Sequence, residues 1–281
     1  MKSRDQGRAP IVESPQNATV RLARRLERDR DERSRRGLYL AWGLHLAQEA
    51  TRHRAPIERA LLGPAAEASS EGIALTRELE RQEVPVMRTT ARVLDGIAPG
   101  SADQGVLLIA RRPATRLDEL LAGSPGVLLL AHGVQDPGNV GSMVRSALAL
   151  EASAFVALEG TADPFGSRAV RAAMGALFRL PVLEGVARSI LPMLRASGLR
   201  LFAADARAGR APSDVDLAGP AALLVGSEGG GLPEEILSAA DERVRIPMTQ
   251  GVVSLNVHAA ATVLLYEAMR QRSGRTERGA R

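Results

Sequence analysis

From residue 126 onward, short continuous apolar runs alternate with stretches whose apolar residues recur every three or four positions. The runs are "GVLLLAHGV", "AFVAL", "LPVLE", "RLFAAD", "AALLVGS" and "ERVRIPM". A run that is apolar without alternation fits a strand buried on both faces of a parallel sheet. Between them "NVGSMVRSALAL", "SRAVRAAMGALF", "SILPMLRASG" and "PEEILSAAD" carry helical spacing, and an apolar helix over 255–271 closes the series. This order predicts a doubly wound α/β domain with a parallel sheet, whose ligand-binding loops lie at the carboxyl ends of the strands.

The first 112 residues follow a less regular rhythm. "RLARRLERDRDERSRRG" reads as a charged helix, and "LYLAWGLHLAQEATRH" (38–53) places apolar groups at helical intervals throughout. "IERALLG" reads as a strand leaving for a loop. "IALTRELERQEVPVMRTT" is a helix running into a short strand at 84–87, and "QGVLLIARRP" is a strand stopped by Pro113. The expected organisation is a small α/β domain over 1–112, a linker over 113–125 holding a short helix, a second domain over 126–272, and a disordered tail over 273–281.

Composition narrows the chemistry. With no cysteine among 281 residues, disulfides, thiolate metal sites and a cysteine nucleophile are excluded, and four scattered histidines give no metal-ligand spacing. No apolar run approaches the roughly 20 residues that span a bilayer, and "MKSRDQGRAPIVESP" lacks the apolar stretch of a secretory signal. The expectation is a cytoplasmic enzyme or binding protein without membrane or metal. Residues 1–36 hold eleven Lys and Arg against six acids, an excess equal to the whole formal net charge of +5. That segment is either a solvated helix laced with ion pairs or a surface for RNA phosphates.

Three strand-end loops carry unusual residues. In "HGVQDPGNVGSMVRSALAL" (132–150), Asp136-Pro137-Gly138 makes a turn, Asn139 stands at the expected N-cap, and Arg145 lies inside an otherwise apolar helix start. An arginine there is costly unless something anionic meets it. "LLVGSEGGGLPEEIL" (223–237) runs a buried strand into a glycine-rich loop. It lacks the Lys-Ser/Thr of a P-loop and the dinucleotide spacing, and Glu228 repels phosphate. It suits a neutral or cationic ligand whose amine or ribose hydroxyls meet a carboxylate. In "IPMTQGVVSLNVHAAATVLLYEA" (246–268), Ser254 and Asn256 flank the start of the last helix.

"QDPGNVGSMVRSALALEASAFVAL", "LLVGSEGGGLPEEI" and "VRIPMTQGVVSLNVHAAATVLLYEA" resemble, in order and spacing, the three motifs of the SpoU family, RNA 2′-O-ribose methyltransferases of the SPOUT superfamily. The resemblance covers 126–272, including "DPFGSRAVRAAMGALFRLPV". The N-terminal part, with its basic helix and "YLAWG", is similar to the ribosomal-protein-like substrate-binding domain that many members carry.

The resemblance implies S-adenosyl-L-methionine held in a deep trefoil knot of the C-terminal segment, a topology nearly absent from proteins, and a homodimer formed through the knotted domain. It places Val225, Gly226, Gly229, Ile246, Met248 and Leu255 at the cofactor, largely through backbone groups, and makes Asn139, Arg145, Glu228, Ser254 and Asn256 the catalytic set. The implied reaction is in-line attack of a ribose 2′-hydroxyl on the sulfonium methyl. The cation loses its charge on the way, so alignment and proton removal matter more than oxyanion stabilisation. A guanidinium stays protonated. Arg145 is therefore read as gripping the target's phosphate and hydroxyl, with that phosphate or water aiding proton transfer. Asn139 and Ser254 orient Arg145 and the nucleotide; Glu228 and Asn256 shape the loops around the cofactor. Arg21, Arg24, Arg25, Arg28, Arg35 and Arg36 form the expected RNA-binding face.

The chain departs from the family pattern at four positions. Ser227 stands where Asn is common, Val253 replaces an acid, and His258 fills a usually small position and reads as packing. Trp42 replaces the acid before Gly43, as a buried ring or a base-stacking aromatic. Ribosomal RNA is the expected substrate, ahead of tRNA. The alternatives are a tRNA 2′-O-methyltransferase or a non-catalytic RNA-binding or ribosome-assembly protein on the same fold. A nucleotide-dependent α/β enzyme is disfavoured by Glu228 and the missing phosphate-binding Lys.

Overall fold

Helical spacing in α1 (Ala18–Arg28) buries Val20, Ala23 and Leu26 and turns its arginines outward. The computed structural model describes residues 11–98, 100 and 105–279, the side chains of 275–279 excepted, so Lys2, Arg4 and Arg8 of the basic segment lie outside the described residues. Asn17 caps α1 by accepting from the Thr19 N–H. Asp29 caps α2 (Arg30–Arg36), which ends on Gly37 in the left-handed region at φ 62°.

Then come β1 (Leu38–Trp42), α3 (Leu44–Arg52), β2 (Ile57–Leu62), α4 (Pro64–Ala68), α5 (Ser70–Arg81), β3 (Val86–Arg88), α6 (Ala91–Asp95) and β4 (Val106–Arg111). The strands form a mixed sheet in the order β1-β4-β2-β3, with β2 and β3 parallel and the other pairs antiparallel. This corrects the single helix expected over 38–53. Gly43 sits at φ 95°, a conformation closed to helix and costly for any residue with a Cβ, and it separates strand from helix. Leu38–Trp42 then pairs with β4 from Leu38↔Arg111 to Trp42↔Leu107. A five-residue apolar run reads equally as helix or strand until its partner is known. The stretch after Gly63 is likewise the short helix α4, started by Pro64, rather than a loop.

Trp42 is 5% exposed, and its indole N–H donates to Glu27 Oε2 at 3.1 Å. It is a buried, satisfied ring, which removes base stacking as its role.

The second series is α7 (Leu117–Ala122), β5 (Val127–Ala131), α8 (Pro137–Ala149), β6 (Ala154–Leu158), α9 (Ser167–Ala172), β7 (Val182–Gly185), α10 (Ala187–Ala196), β8 (Arg200–Ala204), β9 (Ala221–Val225), α11 (Glu234–Ala239), β10 (Glu242–Val244) and α12 (Val257–Gly279). All six strands are parallel, in the order β10-β8-β9-β5-β6-β7. Leu128, Leu130, Val156, Leu201 and Leu224 are buried beneath α10 and α11 side chains. On α12, Val257, Ala261, Leu264, Leu265 and Ala268 are buried, and the helix packs on α8, β9 and β5. The winding direction changes around β5 and β9, whose carboxyl ends are in register at Ala131↔Val225. That is where an open α/β sheet gathers its ligand.

Four details differ from the sequence reading. The chain divides into one compact unit of residues up to Arg112 together with Phe165–Arg171, and a second unit of the remainder. Helix α7, read as linker, packs Leu117, Leu120 and Leu121 on the core of the second unit. "SRAVRAAMGALF" is broken after Ala172, because Met174 and Gly175 turn to positive φ before a short 3-10 turn. Helix α12 continues to Gly279 instead of ending in a disordered tail at 273. No proline interrupts it, and its arginines and glutamates favour helix.

Candidate active site

Helix α8 begins three residues earlier than the sequence reading placed it. Asp136, not Asn139, is its N-cap, accepting from the Gly138 N–H at 2.6 Å, and Pro137 occupies the first turn. Asn139 is thereby freed from capping, and its side chain reaches two distant loops. Its Nδ2 donates to Glu228 Oε1 at 2.6 Å, and its Oδ1 accepts from Asn256 Nδ2 at 3.1 Å. The Asn256 Oδ1 in turn accepts from the backbone N–H of His258 and Ala259 at 3.0 and 3.3 Å, capping α12. Residues 89 and 117 positions apart therefore meet at one junction.

The loop after β9 is closed on itself. The Ser227 N–H donates to the Gly231 carbonyl at 3.1 Å, and the Gly231 N–H donates back to the Ser227 carbonyl at 2.9 Å. Gly226 makes this possible: a Cβ there would lie 2.1 Å from the carbonyl carbon of Gly231 and 2.3 Å from the Leu232 nitrogen. Gly231 itself takes φ +67°.

This loop, the ends of β8 and β10, and the segment before α12 enclose a cavity of about 440 Å³, within the range usual for small-molecule sites. Val225, Gly226, Gly229, Ile246, Met248 and Leu255 all line it, as do Glu228 and Ser254. Asn139, Arg145 and Asn256 do not; Asn139 and Asn256 hold the junction beside it. Ser254 and Arg145 are exposed, and their side chains make no hydrogen bond or ion pair among the described residues. Because Arg145 points to solvent, it carries none of the burial cost anticipated for it. Ser146, the next residue on α8, has its hydroxyl 2.9 Å from the ring of His258, two residues from Asn256, which puts Arg145 on the same side of the molecule as the junction.

Sequence reasoning missed the cavity's third wall. Ala204, Asp205 and Arg207, at the carboxyl end of β8, also line it. Asp205 is only 9% exposed; its Oδ1 accepts from the Arg207 N–H at 2.8 Å, and its Oδ2 lies 3.6 Å from Arg243 Nη1. The strand-end rule that singled out the other loops also points to the aspartate of "RLFAAD".

His258 is half-buried, its Nε2 lying 2.9 Å from Ser146 Oγ. Its pKa falls below the ordinary 6.5, first because burial disfavours the charged ring and then because Arg145 is near. Among the described residues, no group of three or more His, Asp or Glu could hold a metal ion, and no helix is long and apolar enough to cross a membrane.

Of the expected RNA-facing arginines, Arg25, Arg35 and Arg36 surround the buried carboxylate of Glu32, with Arg25 Nε at 3.0 Å and Arg36 Nε at 2.6 Å. Arg24 is spent on structure, its Nε donating to the Gly96 carbonyl at 2.8 Å. Arg21 and Arg28 are exposed and unpaired among the described residues.

The cavity fits S-adenosylmethionine. Its apolar walls at Val225, Leu232, Ile246 and Leu255 suit a base, Gly226 leaves room for backbone contact, and Asp205 and Glu228 suit hydroxyls and positive charge.

Comparison with known proteins gives a consistent picture. Residues 126–266 match the SpoU rRNA Methylase family, and residues 17–108 match the MRM3-like substrate binding domain. The chain is 33% identical over 238 residues to 23S rRNA (guanosine-2′-O-)-methyltransferase RlmB of Bordetella pertussis, covering 83% of this chain and 97% of that protein. It is 31% identical over 267 residues to the 23S rRNA (uridine(2479)-2′-O)-methyltransferase of Streptomyces viridochromogenes, covering 92% of each. The crystal structure of the SpoU methyltransferase AviRb from Streptomyces viridochromogenes, in complex with the cofactor AdoMet, superposes with a TM-score of 0.80 at 30% identity, covering 92% of this chain and 98% of that one.

Proposed function

The chain belongs to the SpoU rRNA methylase family, and from that premise we propose that it transfers a methyl group from S-adenosylmethionine to a ribose 2′-hydroxyl of ribosomal RNA. The observation that carries this reading is the Asn139–Glu228–Asn256 junction, formed beside the cavity by three loops that are remote in sequence. When bound, S-adenosylmethionine supplies an electrophilic methyl on a sulfonium. Val225, Gly226, Gly229, Ile246, Met248 and Leu255 hold it in the cavity, with Asp205 as an added carboxylate. Asn139 and Asn256 fix the loops, and Ser254 and Arg145 face outward to meet the nucleotide. Arg145 grips the target phosphate and aligns the hydroxyl, since its guanidinium is a poor proton acceptor and a good phosphate fork.

The C-terminal segment is threaded as a deep trefoil knot. In support, the chain leaves β10 at the sheet edge, shares a cavity wall with the 226–232 loop through Ile246, Met248 and Val253, and returns in α12 onto the central strands β9 and β5. A second copy covers the outer face of α12, where Val263 and Tyr266 are 39% and 53% exposed, giving a homodimer. The protein acts in the cytoplasm, where its substrate is.

The domain over 1–112 binds the RNA. Arg21 and Arg28 serve as phosphate contacts, because their charge is uncommitted. Replacing both with alanine is expected to weaken rRNA binding uniformly across sequences and to lower the salt slope by about 1 per lost contact. Filter binding at several salt concentrations measures this; an unchanged slope would remove α1 from the interface. For the function itself, titration calorimetry with S-adenosylhomocysteine and with ATP is expected to show binding of the first alone. Methyl transfer to isolated rRNA, in preference to tRNA, then separates an enzyme from a binding protein.

A further inference from the structure

His258 belongs to neither the cofactor wall nor the Asn139–Glu228–Asn256 junction, yet it is tied to both helices that carry the site. Its backbone N–H is held by the side chain of Asn256. Its ring Nε2 lies 2.9 Å from the hydroxyl of Ser146, the residue that follows Arg145 on α8. Thr262, one turn further along α12, donates to the His258 carbonyl at 2.8 Å and lies 3.1 Å from the same Ser146 hydroxyl. A histidine and two hydroxyls thus staple α8 to α12 at the position next to Arg145. Elsewhere the buried residues of the two packed helices, Val140, Met143, Val144 and Ala147 on α8 and Ala261 and Leu265 on α12, are apolar, so these three polar groups supply the directional bonds of the contact.

We propose that His258 is a positioning residue for Arg145. Its neutral ring, bonded to Ser146, locks the Arg145-bearing turn of α8 against α12, and a proton on that ring sets a second cation beside Arg145 and drives the guanidinium out of line. This rests on the reading of Arg145 as the group that aligns the RNA. The charges facing the ring are few. From α8 it meets Arg145. The strands under α12, "AALLV" and "VLLLA", are apolar throughout. The loop after β9 brings Glu228, but that carboxylate is engaged by Asn139. Among the described residues no acid offsets the charge of an imidazolium there, and burial first, then Arg145, lower the ring's pKa from 6.5.

The sign follows directly. The folded protein favours neutral His258, so its contribution is complete above pH 6.5 and is lost as pH falls through the lowered folded value.

Two measurements test this. The pH profile of kcat is taken between pH 5 and 9, with unmodified 23S rRNA, for the full chain and for His258→Gln and His258→Ala. The wild type is expected to lose turnover on an acid limb centred below pH 6.5. His258→Gln, which keeps a neutral group able to bond Ser146, is expected to lack that limb. His258→Ala is expected to lower kcat roughly tenfold at pH 8 with the KM for S-adenosylmethionine unchanged. The same acid limb in His258→Gln, no limb in the wild type, or full turnover in His258→Ala would overturn the proposal. Ring-proton NMR gives a readout that needs no activity. Four histidines are present, and the His258 signal is the one missing from His258→Gln. It is expected to titrate at higher pH in Arg145→Ala than in the wild type. An unshifted titration means the ring and guanidinium do not interact, and the proposal fails whether or not the protein methylates RNA. Loss of methylation with the NMR shift intact would instead count against the methyltransferase reading alone.

Discussion

Replacing Arg145 with alanine is expected to lower kcat by about 100- to 1000-fold, the cost usual for removing one preorganised group that acts on the reacting centre, while S-adenosylhomocysteine binds as before. The split follows from position. Arg145 lines no part of the cavity, its side chain makes no hydrogen bond or ion pair among the described residues, and it precedes Ser146, whose hydroxyl lies 2.9 Å from the His258 ring. An exposed, unpaired arginine on a packed helix stabilises little by itself, so thermal unfolding is expected to move by no more than a degree or two. Arg145→Lys separates charge from shape. If the planar fork holds phosphate and hydroxyl together, lysine recovers less than a tenth of the lost turnover. Near-normal turnover in Arg145→Lys would show that a point charge suffices. Steady-state kinetics on unmodified 23S rRNA, with calorimetry on the same preparations, decides between them.

Gly226→Ala is expected to act on the other half of the site. The added methyl would stand 2.1 to 2.3 Å from backbone atoms of Gly231 and Leu232, and backbone cannot step aside as a flexible side chain can. The closed loop must open, breaking the two Ser227–Gly231 hydrogen bonds and displacing Glu228 from Asn139. Affinity for S-adenosylhomocysteine is expected to fall by at least about 100-fold, close to 2.7 kcal/mol, with the fold retained. Gly219→Ala is the control, because its Cβ meets nothing within 4 Å, and wild-type affinity is expected. Calorimetric binding of Gly226→Ala at wild-type strength would mean that the loop does not form the cavity wall.

Much of this was legible before any coordinates. The β5 to β9 run was readable because strands buried on both faces leave unbroken apolar runs such as "GVLLLA" and "AALLV", with no competing helical period. The glycine-rich loop announced itself by composition. What escaped the sequence did so for identifiable reasons. "LYLAW" reads as part of a helix because five apolar residues carry no period of their own, and only pairing with β4 and the turn at Gly43 decide the matter. Asn139 looked like a cap because Asp136 and Asn139 are both good capping residues, and the choice between them depends on where the helix begins. Asp205 carries no sequence signal beyond its place at a strand end, and that place gains weight only when two neighbouring strands bring their own loops to it. Trp42 could not be resolved between stacking and packing until Glu27 was seen to take its N–H.

This chain is read as methylating the 2′-oxygen of a ribose in ribosomal RNA. The most direct measurement is to incubate the protein with isotopically labelled S-adenosylmethionine and unmodified 23S rRNA, then to map the label by alkaline hydrolysis and nucleoside analysis. Label is expected on the sugar of a discrete nucleotide, within an alkali-resistant linkage, and is expected to be lost in Arg145→Ala. Label on a base, or none in rRNA from a protein that binds S-adenosylhomocysteine, would contradict it.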